Sequence, residues 1–237
     1  MKVEVFAKDR SAAQAAAQTI AAEARAAVAE RSRFIMAVSG GRTPWIMLRM
    51  LAAEEVPWES VHVVQVDERV APAGHPDRNL THLRESLLEY TPLRAEQVLA
   101  MPVESSDLEA AAKQYAATLV QLAGAAPALD LIHLGLGTDG HTASLAPGDP
   151  VLSVTEADVA LTGAYQGRRR MTLTYPVINR ARRILWLVTG GEKSGMLARL
   201  SKGDKSIPAG RICEDRAVII ADCVAAGDLK DEGQTAP

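Results

Sequence analysis

Short apolar runs alternate with longer segments of helical periodicity, and this pattern constrains the fold more than any other feature of the sequence. Phe34–Val38 is apolar without interruption, which is typical of a strand covered on both faces. Ser11–Arg31, just before it, has helical periodicity. Its apolar stripe consists of Ala13, Ala17, Ile20, Ala24 and Val28. Because strands and helices alternate, the sequence predicts a mostly parallel sheet with helices on both faces.

The same alternation continues along the chain. The predicted strands are Val3–Phe6, Phe34–Val38, Val61–Val66, Leu129–Leu134, Val159–Leu161, Met171–Thr174, Ile184–Val188 and Ala217–Ala221. The predicted helices are Ser11–Arg31, Trp45–Ala53, Leu80–Glu89, Leu108–Ala123 and Glu192–Ser201. No linker or repeat interrupts the pattern, so we predict a single three-layer α/β domain over residues 1–226. Residues 227–237 are polar and lack periodicity, and we predict that they form a flexible C-terminal tail.

Composition and charge exclude several classes of protein. A net charge of −3 and a pI of about 6.0 argue against a nucleic-acid partner, which would require a basic surface. The two cysteines form no C-x-x-C pair, which favours a reducing compartment. Glu4 lies where a signal peptide would need an apolar run, and no apolar stretch reaches the roughly 18 residues of a membrane span. We therefore expect a cytoplasmic protein without a membrane partner, either a monomer or a small homo-oligomer.

The loop after the Phe34–Val38 strand reads Ser39-Gly40-Gly41-Arg42-Thr43-Pro44. Its two glycines allow the backbone to approach a ligand closely, and free N–H groups at a helix start bind anions such as phosphate. Thr43 is placed to cap the next helix, and Pro44 suits the first turn of that helix. An ordinary tight turn is the alternative, but such a turn needs only one glycine. The sequence therefore predicts a phosphate site here.

Three charged residues, Asp67-Glu68-Arg69, directly follow the Val61–Val66 strand. Ligands of open α/β sheets bind beyond the carboxyl ends of the strands. Arg69 can grip a phosphate there, and Asp67 can accept hydrogen bonds from sugar hydroxyls. A solvated loop is the alternative for such a charged trio. Farther along, His75 and Asp77 are predicted to build a turn and Asn79 to cap a helix.

The segment from Gly135 to Ser144 follows the Leu129–Leu134 strand and sets Asp139 and His141 among glycines. It also matches the dinucleotide pattern G-x-G-x-x-G. That pattern needs a long helix after it, whereas residues 147–150 are Pro-Gly-Asp-Pro, which ends any helix within about two turns. Histidine has an ordinary pKa of about 6.5, so His141 suits general-base catalysis at neutral pH.

The remaining histidines and the last glycine pair give weaker signals. His133 lies inside a predicted buried strand, where we expect a core histidine, and no pair of histidines has metal-binding spacing. We therefore predict no metal site. Gly190-Gly191-Glu192-Lys193 follows the Ile184–Val188 strand and puts Lys193 in the first turn of a helix, against the helix dipole. A bound anion would remove that conflict, and a solvent-facing lysine is the alternative.

Taken together in this order, these segments resemble the 6-phosphogluconolactonase family, a branch of the glucosamine-6-phosphate isomerase/deaminase superfamily. The resemblance runs from about Val5 to Ala221. It rests on Ser39–Pro44, Asp67–Arg69 with His75, Asp77 and Asn79, Gly135–Leu145, Arg170–Thr174, and Gly190–Lys193. It implies a Rossmann-like α/β fold without a bound nucleotide, no cofactor, and hydrolysis of 6-phosphoglucono-δ-lactone in the pentose phosphate pathway.

The resemblance also implies roles for individual residues, with His141 as the base. The residues implied in substrate or phosphate binding are Ser39, Gly40, Gly41, Arg42, Thr43, Arg69, Gly140, Arg170 and Lys193. Either Asp139 or Asp67 orients the imidazole, and the choice stays open. Two residues depart from the family pattern: Arg78 stands where serine is usual, and Ala146 where phenylalanine is frequent. Both departures bear on the shape of the pocket.

Three other functions are compatible with parts of this pattern. Isomerases and deaminases of the superfamily share Asp-Gly-His but typically continue with Asn-Glu-Pro-Gly, whereas residues 144–148 here are Ser-Leu-Ala-Pro-Gly and offer no glutamate. A non-catalytic sugar-phosphate sensor would keep the phosphate site, but the presence of His141 argues against it. A dinucleotide-dependent oxidoreductase is the most distant alternative.

Overall fold

The computed structural model describes residues 1–229, which form ten strands and six α-helices. The strands are β1 (Lys2–Phe6), β2 (Phe34–Val38), β3 (Val61–Gln65), β4 (Asp67–Arg69), β5 (Val98–Leu99), β6 (Leu131–Leu134), β7 (Val159–Leu161), β8 (Arg170–Leu173), β9 (Ile184–Val188) and β10 (Ala217–Asp222). The helices are α1 (Asp9–Arg31), α2 (Arg42–Leu51), α3 (Asn79–Ser86), α4 (Leu108–Ala123), α5 (Tyr175–Arg180) and α6 (Ser194–Ser201). The predicted strands and helices are present, with their ends displaced by a few residues.

Seven strands form the central sheet, in the order β1-β10-β9-β6-β2-β3-β5, and every pair in it is parallel. This confirms the prediction from the apolar runs. The chain moves outward from β2 to β3 on one side, and β6 then lies on the other side of β2. The strand order therefore reverses between β2 and β6, so the loops that follow these two strands diverge and leave a crevice at the carboxyl edge.

Side chains of β2 alternate between two hydrophobic cores, one on each face of the sheet. Phe34 and Met36 pack with α1, α2 and α3, whereas Ile35 and Ala37 pack with α4, α5 and α6. The buried alanines of α1 bring that helix close to the sheet and to α2. The predicted three-layer arrangement with helices on both faces is therefore confirmed.

A second, three-stranded sheet has the order β4-β8-β7 and is antiparallel. The sequence predicted a loop at Asp67–Arg69, but these residues form β4 and pair with β8. Val66 joins the two sheets, because its N–H donates to Val38 of the central sheet and its carbonyl accepts from Leu173 of the small one. Three charged residues give no alternating apolar pattern, so the strand was not recognisable from local sequence.

The start of the helix at Lys193 and the start of the predicted C-terminal tail also differ from the sequence prediction. Lys193 is not in the first helical turn: it ends a 3-10 turn at Gly191–Lys193 and stands at the N-cap of α6. The predicted C-terminal tail begins with another 3-10 turn, Gly227–Leu229, and Leu229 packs against the larger core. The rest of that predicted tail lies outside the described residues. Among the helices formed by residues 1–229, none combines the length and the apolar character that crossing a bilayer requires.

Candidate active site

A cleft of about 650 Å³ opens at the carboxyl edge of the central sheet, where the strand order reverses. Loops that follow β2, β3, β6 and β9 all contribute to its walls. The predicted site residues that line the cleft are Ser39, Gly40, Gly41, Arg42, Thr43, Asp67, Arg69, His141, Arg170 and Lys193. The four strand ends singled out in the sequence thus meet in one place.

The loop after β2 brings backbone N–H groups to the wall of the cleft. Helix α2 begins at Arg42, so its first N–H groups have no acceptor within the helix. Gly41 has a φ of 136°, in the region that favours glycine. A Cβ on Gly40 would lie 2.0 Å from Oδ1 of Asn79, so only glycine fits there. The loop therefore presents the anion-binding geometry that the sequence predicted.

Thr43 does not cap α2 as predicted. It is already inside the helix, and the residue at the N-cap is Gly41, which makes no side-chain capping bond. The Thr43 hydroxyl instead lies 2.7 Å from the hydroxyl of Thr189, which follows β9. This contact joins the first turn of α2 to the segment that leads to Lys193.

Ser39 is held in place by two hydrogen bonds to His133 on β6. The Ser39 N–H donates to Nδ1 of His133 at 3.3 Å, and the Ser39 hydroxyl donates to the His133 carbonyl at 3.0 Å. His133 is fully buried, and burial lowers its pKa to about 4. It is therefore a neutral core histidine at neutral pH, as the sequence predicted, and it holds the start of the loop after β2.

His141, which lines the cleft, forms a hydrogen-bonded pair with Asp139. Nδ1 of His141 lies 2.6 Å from Oδ1 of Asp139, and the backbone N–H of His141 donates to the same oxygen at 3.1 Å. The turn is closed by a bond from the Gly137 N–H to the His141 carbonyl at 2.8 Å. Burial acts to raise the pKa of Asp139, but the bonds from His141 outweigh it and the pKa is lowered. Asp139 is therefore a carboxylate whose charge faces the imidazole.

Asp67 has different partners. Its side chain is buried and accepts from the Ser144 hydroxyl at 2.5 Å and from Nδ2 of Asn79 at 3.1 Å. Of the two aspartates that the sequence left open as partners of the imidazole, the structure pairs Asp139 with His141 and anchors Asp67 in the strand network.

Arg69 and Arg170 stand directly opposite each other on β4 and β8 and both line the cleft. Arg69 donates to Oδ1 of Asn79 at 2.5 Å and to the Asp77 carbonyl at 3.0 Å. Arg170 is buried, and its Nε has no hydrogen-bond partner among residues 1–229. Burial lowers the pKa of Arg170, although Asp67 opposes the shift. Two adjacent guanidinium groups, one with an unused buried donor, create a site for an anionic oxygen.

Asn79 and Gly140 have roles other than those predicted. Asn79 is the first residue of α3 rather than its cap, and its side chain links Arg69 to Asp67. Gly140 does not line the cleft. Its φ is 81°, and a Cβ there would lie 2.7 Å from Ile207, so Gly140 shapes the turn before His141 and packs against the core.

Sequence reasoning missed Glu68 and Tyr165. The Glu68 carboxylate is buried and accepts from the N–H groups of Asn79 and Leu80 at the start of α3. The Tyr165 hydroxyl reaches both Asp139 and His141 from the hairpin that joins β7 and β8. No local motif marks either contact, because each links positions that only the tertiary structure brings together.

The sequence can also be compared with known proteins. Residues 7–220 match the family described as Glucosamine-6-phosphate isomerases/6-phosphogluconolactonase. The chain belongs to this family. The resemblance found in the motifs is thereby confirmed.

Curated members of the family and solved structures are similar over most of the chain. A 6-phosphogluconolactonase from Synechocystis is 41% identical over 178 residues, which cover 73% of this chain and 74% of that protein. One from Mycobacterium tuberculosis is 33% identical and covers 96% of this chain and 98% of its own. The structure of 6-phosphogluconolactonase from Trypanosoma brucei superposes with a TM-score of 0.86 at 26% identity, covering 96% of this chain and 98% of that one.

The two residues that depart from the family pattern, Arg78 and Ala146, are both buried in the structure. Nε of Arg78 lies 3.0 Å from Oε2 of Glu68, while its Nη1 lies 2.8 Å from Oε1 of Glu104. The buried carboxylate of Glu68 thus has a cationic partner. Neither Arg78 nor Ala146 lines the cleft.

Proposed function

We propose that this protein hydrolyses 6-phospho-D-glucono-1,5-lactone to 6-phosphogluconate. The observation that carries the proposal is the pairing of His141 with Asp139 beside a cleft that is lined both by His141 and by the residues at the start of α2. Membership of a family that includes 6-phosphogluconolactonases supports the same reaction. A substrate that carries both a phosphate and an ester carbonyl matches these two features.

The phosphate is held by the backbone N–H groups at the start of α2 and by nearby cations. Arg69, Arg170 and Lys193 line the same cleft and contribute positive charge. When these groups hold the phosphate, the lactone ring is oriented so that its carbonyl carbon lies beside His141. Such orientation lowers the entropic part of the barrier, because the reacting groups meet within one complex.

His141 acts as the general base through its Nε2 atom. Because Nδ1 is hydrogen-bonded to Asp139, Nε2 is the nitrogen left to take a proton from water. The water oxygen then bonds to the lactone carbonyl carbon and forms a tetrahedral oxyanion. When the bond from that carbon to the ring oxygen breaks, the imidazolium returns its proton to the ring oxygen. The product is an open-chain acid, which ionises in solution.

Asp139 stabilises the imidazolium formed in this step. Its lowered pKa keeps it negatively charged through the neutral range, and the charge lies within hydrogen-bond distance of Nδ1. The aspartate therefore holds the ring in the orientation and tautomer that the reaction requires, as in other carboxylate–histidine pairs. Asp67, whose oxygens are occupied by Ser144 and Asn79, supports the cleft wall instead.

An isomerase or deaminase activity has less support. Deaminases typically place a glutamate after Asp-Gly-His, whereas the residues after His141 are threonine, alanine, serine and leucine. The Ser144 hydroxyl is occupied by Asp67, and Leu145 is fully buried in the core. The free cysteines Cys213 and Cys223 favour a reducing compartment, so we place the activity in the cytoplasm.

The test is an assay with freshly generated 6-phosphogluconolactone, with spontaneous hydrolysis subtracted. We expect a kcat/KM for this substrate at least about 100-fold above that for unphosphorylated gluconolactone, because two or more charged contacts hold the phosphate. Equal values for the two lactones would remove the phosphate site from the proposed mechanism. If the protein bound the sugar phosphate without hydrolysing the lactone, the result would favour the alternative of a non-catalytic sugar-phosphate sensor.

The proposed chemistry uses side chains and water alone. Among residues 1–229, no three His, Cys, Asp or Glu side chains are grouped so that they could hold a metal ion. We therefore expect exhaustive EDTA treatment to leave kcat within about twofold of the untreated value. Loss of activity that one added metal restores would contradict this expectation.

A further inference from the structure

Tyr165 contacts both members of the His141–Asp139 pair from a neighbouring hairpin. Its hydroxyl donates to Oδ2 of Asp139 at 3.0 Å and lies 3.2 Å from Nδ1 of His141. The hairpin turn is tight, with positive φ at Gln166 and Gly167, which is the pattern of a type I′ turn. This turn fixes Tyr165 relative to the β7–β8 ladder.

The aromatic ring of Tyr165 contacts both His141 and Arg170. It meets the His141 ring edge-on, with centroids 5.2 Å apart and an interplanar angle of 63°. Cζ of Arg170 lies over the same ring, 4.9 Å from its centroid. The ring therefore contacts both a group that must become cationic during the reaction and a permanent cation. A cation over an aromatic face is favourable by itself, so the arrangement also holds Arg170 in place.

Asp139 receives three hydrogen bonds in this arrangement. Two come from the His141 backbone and ring, and the third comes from the Tyr165 hydroxyl on the opposite carboxylate oxygen. Burial and the neighbouring Asp139 carboxylate raise the pKa of Tyr165, so its hydroxyl remains a donor throughout the neutral range. A hydroxyl that donates a hydrogen bond to Asp139 stabilises the negative charge of the carboxylate. The carboxylate then attracts a proton on the imidazole less strongly.

We propose that Tyr165 is a positioning residue that tunes the basicity of His141 through Asp139. The inference rests on the proposed function, in which His141 is the base. By satisfying one oxygen of Asp139, the tyrosine leaves the other to orient the imidazole. It also weakens the attraction of the carboxylate for a proton on the imidazole.

Other charged groups near the pair do not change when the Tyr165 hydroxyl is removed. Asp67, Arg69 and Arg170 approach from β4 and β8, and Lys193 lies across the cleft. Because a Tyr165→Phe variant keeps the ring and all of these side chains, a change in its pH profile reports the hydroxyl alone.

The direction of the effect follows from the charges. Without the hydroxyl, Asp139 stabilises the imidazolium more strongly, so His141 takes up a proton at a higher pH. We expect the acidic limb of the kcat/KM profile of Tyr165→Phe to move to higher pH by roughly half a unit, less than a direct contact with a charge produces, because the hydroxyl acts on His141 through Asp139. KM at alkaline pH should change by less than about twofold, because the phosphate contacts are intact.

Two further variants separate positioning from packing. Tyr165→Leu loses the ring as well, so we expect the same direction of shift together with a lower kcat. Tyr175→Phe is the matched control, because Tyr175 also donates a half-buried hydroxyl bond, to the Pro208 carbonyl, and does not line the cleft. Its profile should superimpose on that of the parent.

The titration of the His141 ring protons by NMR measures the same effect without substrate. We expect its midpoint to lie at higher pH in Tyr165→Phe than in the parent, whether or not the protein hydrolyses the lactone. Absence of lactonase activity in the parent would therefore defeat the proposed function and leave this inference standing. Superimposable titrations of the parent and Tyr165→Phe would overturn the inference, even if Tyr165→Leu lost activity.

Discussion

Arg69 and Arg170 approach the cleft from opposite positions of two paired strands, which is an unfavourable arrangement for two cations in the absence of an anion. Arg69 is partly compensated by the Asn79 side chain and the Asp77 carbonyl, whereas Nε of Arg170 has no partner in the described part of the chain. At the scale of the residue, the cleft is therefore built to receive negative charge. We propose that the phosphate of the substrate supplies this charge.

Replacement of Arg69 tests this electrostatic role. We expect Arg69→Ala to lower kcat/KM for the phosphorylated lactone. The corresponding loss of transition-state stabilisation should be about 1.5–3 kcal/mol, the range for a hydrogen bond to a charged group. Activity on unphosphorylated gluconolactone should change much less. Arg169→Ala is the matched control, because Arg169 is exposed and only loosely paired with Glu109 at 3.8 Å. Equal losses on both lactones would show that Arg69 does not act through the phosphate.

At the scale of the element, the turn between β6 and His141 determines where the base stands. Gly137 N–H bonds to the His141 carbonyl, and a Cβ on Gly137 would lie 2.0 Å from Nδ1 of His141 and 2.7 Å from Oδ1 of Asp139. The glycine is therefore required by the hydrogen-bonded pair itself. Of the three glycines that the dinucleotide pattern would assign to a cofactor, Gly137 instead makes room for the imidazole.

Substitution of this glycine displaces the base without removing it. We expect Gly137→Ala to lower kcat by about 100-fold, the loss that a displacement of about 1 Å causes. Gly195→Ala is the control, because Gly195 lies in α6, outside the cleft, with only Asp228 near its Cβ position at 3.9 Å. Circular dichroism should show that both variants are folded. A Gly137→Ala enzyme with parental kcat would mean that the hydrogen-bonded turn from Gly137 to His141 is not the arrangement in which His141 acts.

At the scale of the whole molecule, the apolar periodicity was sufficient to predict the architecture. Runs such as Phe34–Val38 are buried on both faces because their side chains alternate between two cores, so they carry the strongest signal. The glycine-rich loops were equally informative, since each follows a strand of the central sheet. These features identified the edge of the sheet that holds the site.

The parts that could not be predicted depend on contacts between distant segments. Strand β4 consists of three charged residues and exists because it pairs with β8, about a hundred residues later in the chain. The choice of Asp139 over Asp67 as the partner of His141 depends on side-chain reach, which spacing does not give. Tyr165 carried no motif, and its role became visible only when the β7–β8 hairpin was placed beside the His141 turn.

The buried His133 links the stability of the whole domain to pH. Its pKa is about 4 in the folded protein because of burial, against about 6.5 for an exposed histidine. Between these values the unfolded chain binds more protons, so the free energy of unfolding falls as pH is lowered from about 6.5 towards 4. By linkage, the full effect is on the order of 3 kcal/mol.

Urea denaturation at pH 7, 6 and 5 measures this contribution. We expect His133→Asn to have a flatter pH dependence than the parent, since asparagine does not titrate but can accept the Ser39 N–H bond that Nδ1 accepts now. Parallel curves for the two proteins would show that His133 is not the group whose protonation opposes folding.

The central claim is that His141 is the base that activates water. The most direct measurement is kcat for freshly generated 6-phosphogluconolactone with the parent and with His141→Asn, with spontaneous hydrolysis subtracted. General-base assistance predicts a loss of about 10²–10⁴-fold in kcat with a much smaller change in KM, because the phosphate contacts lie elsewhere. His75→Asn should stay close to the parent, since the His75 ring contacts the Asp77 N–H and the Arg168 side chain and does not line the cleft. A near-normal kcat in His141→Asn together with a large loss in His75→Asn would contradict the assignment of His141 as the base.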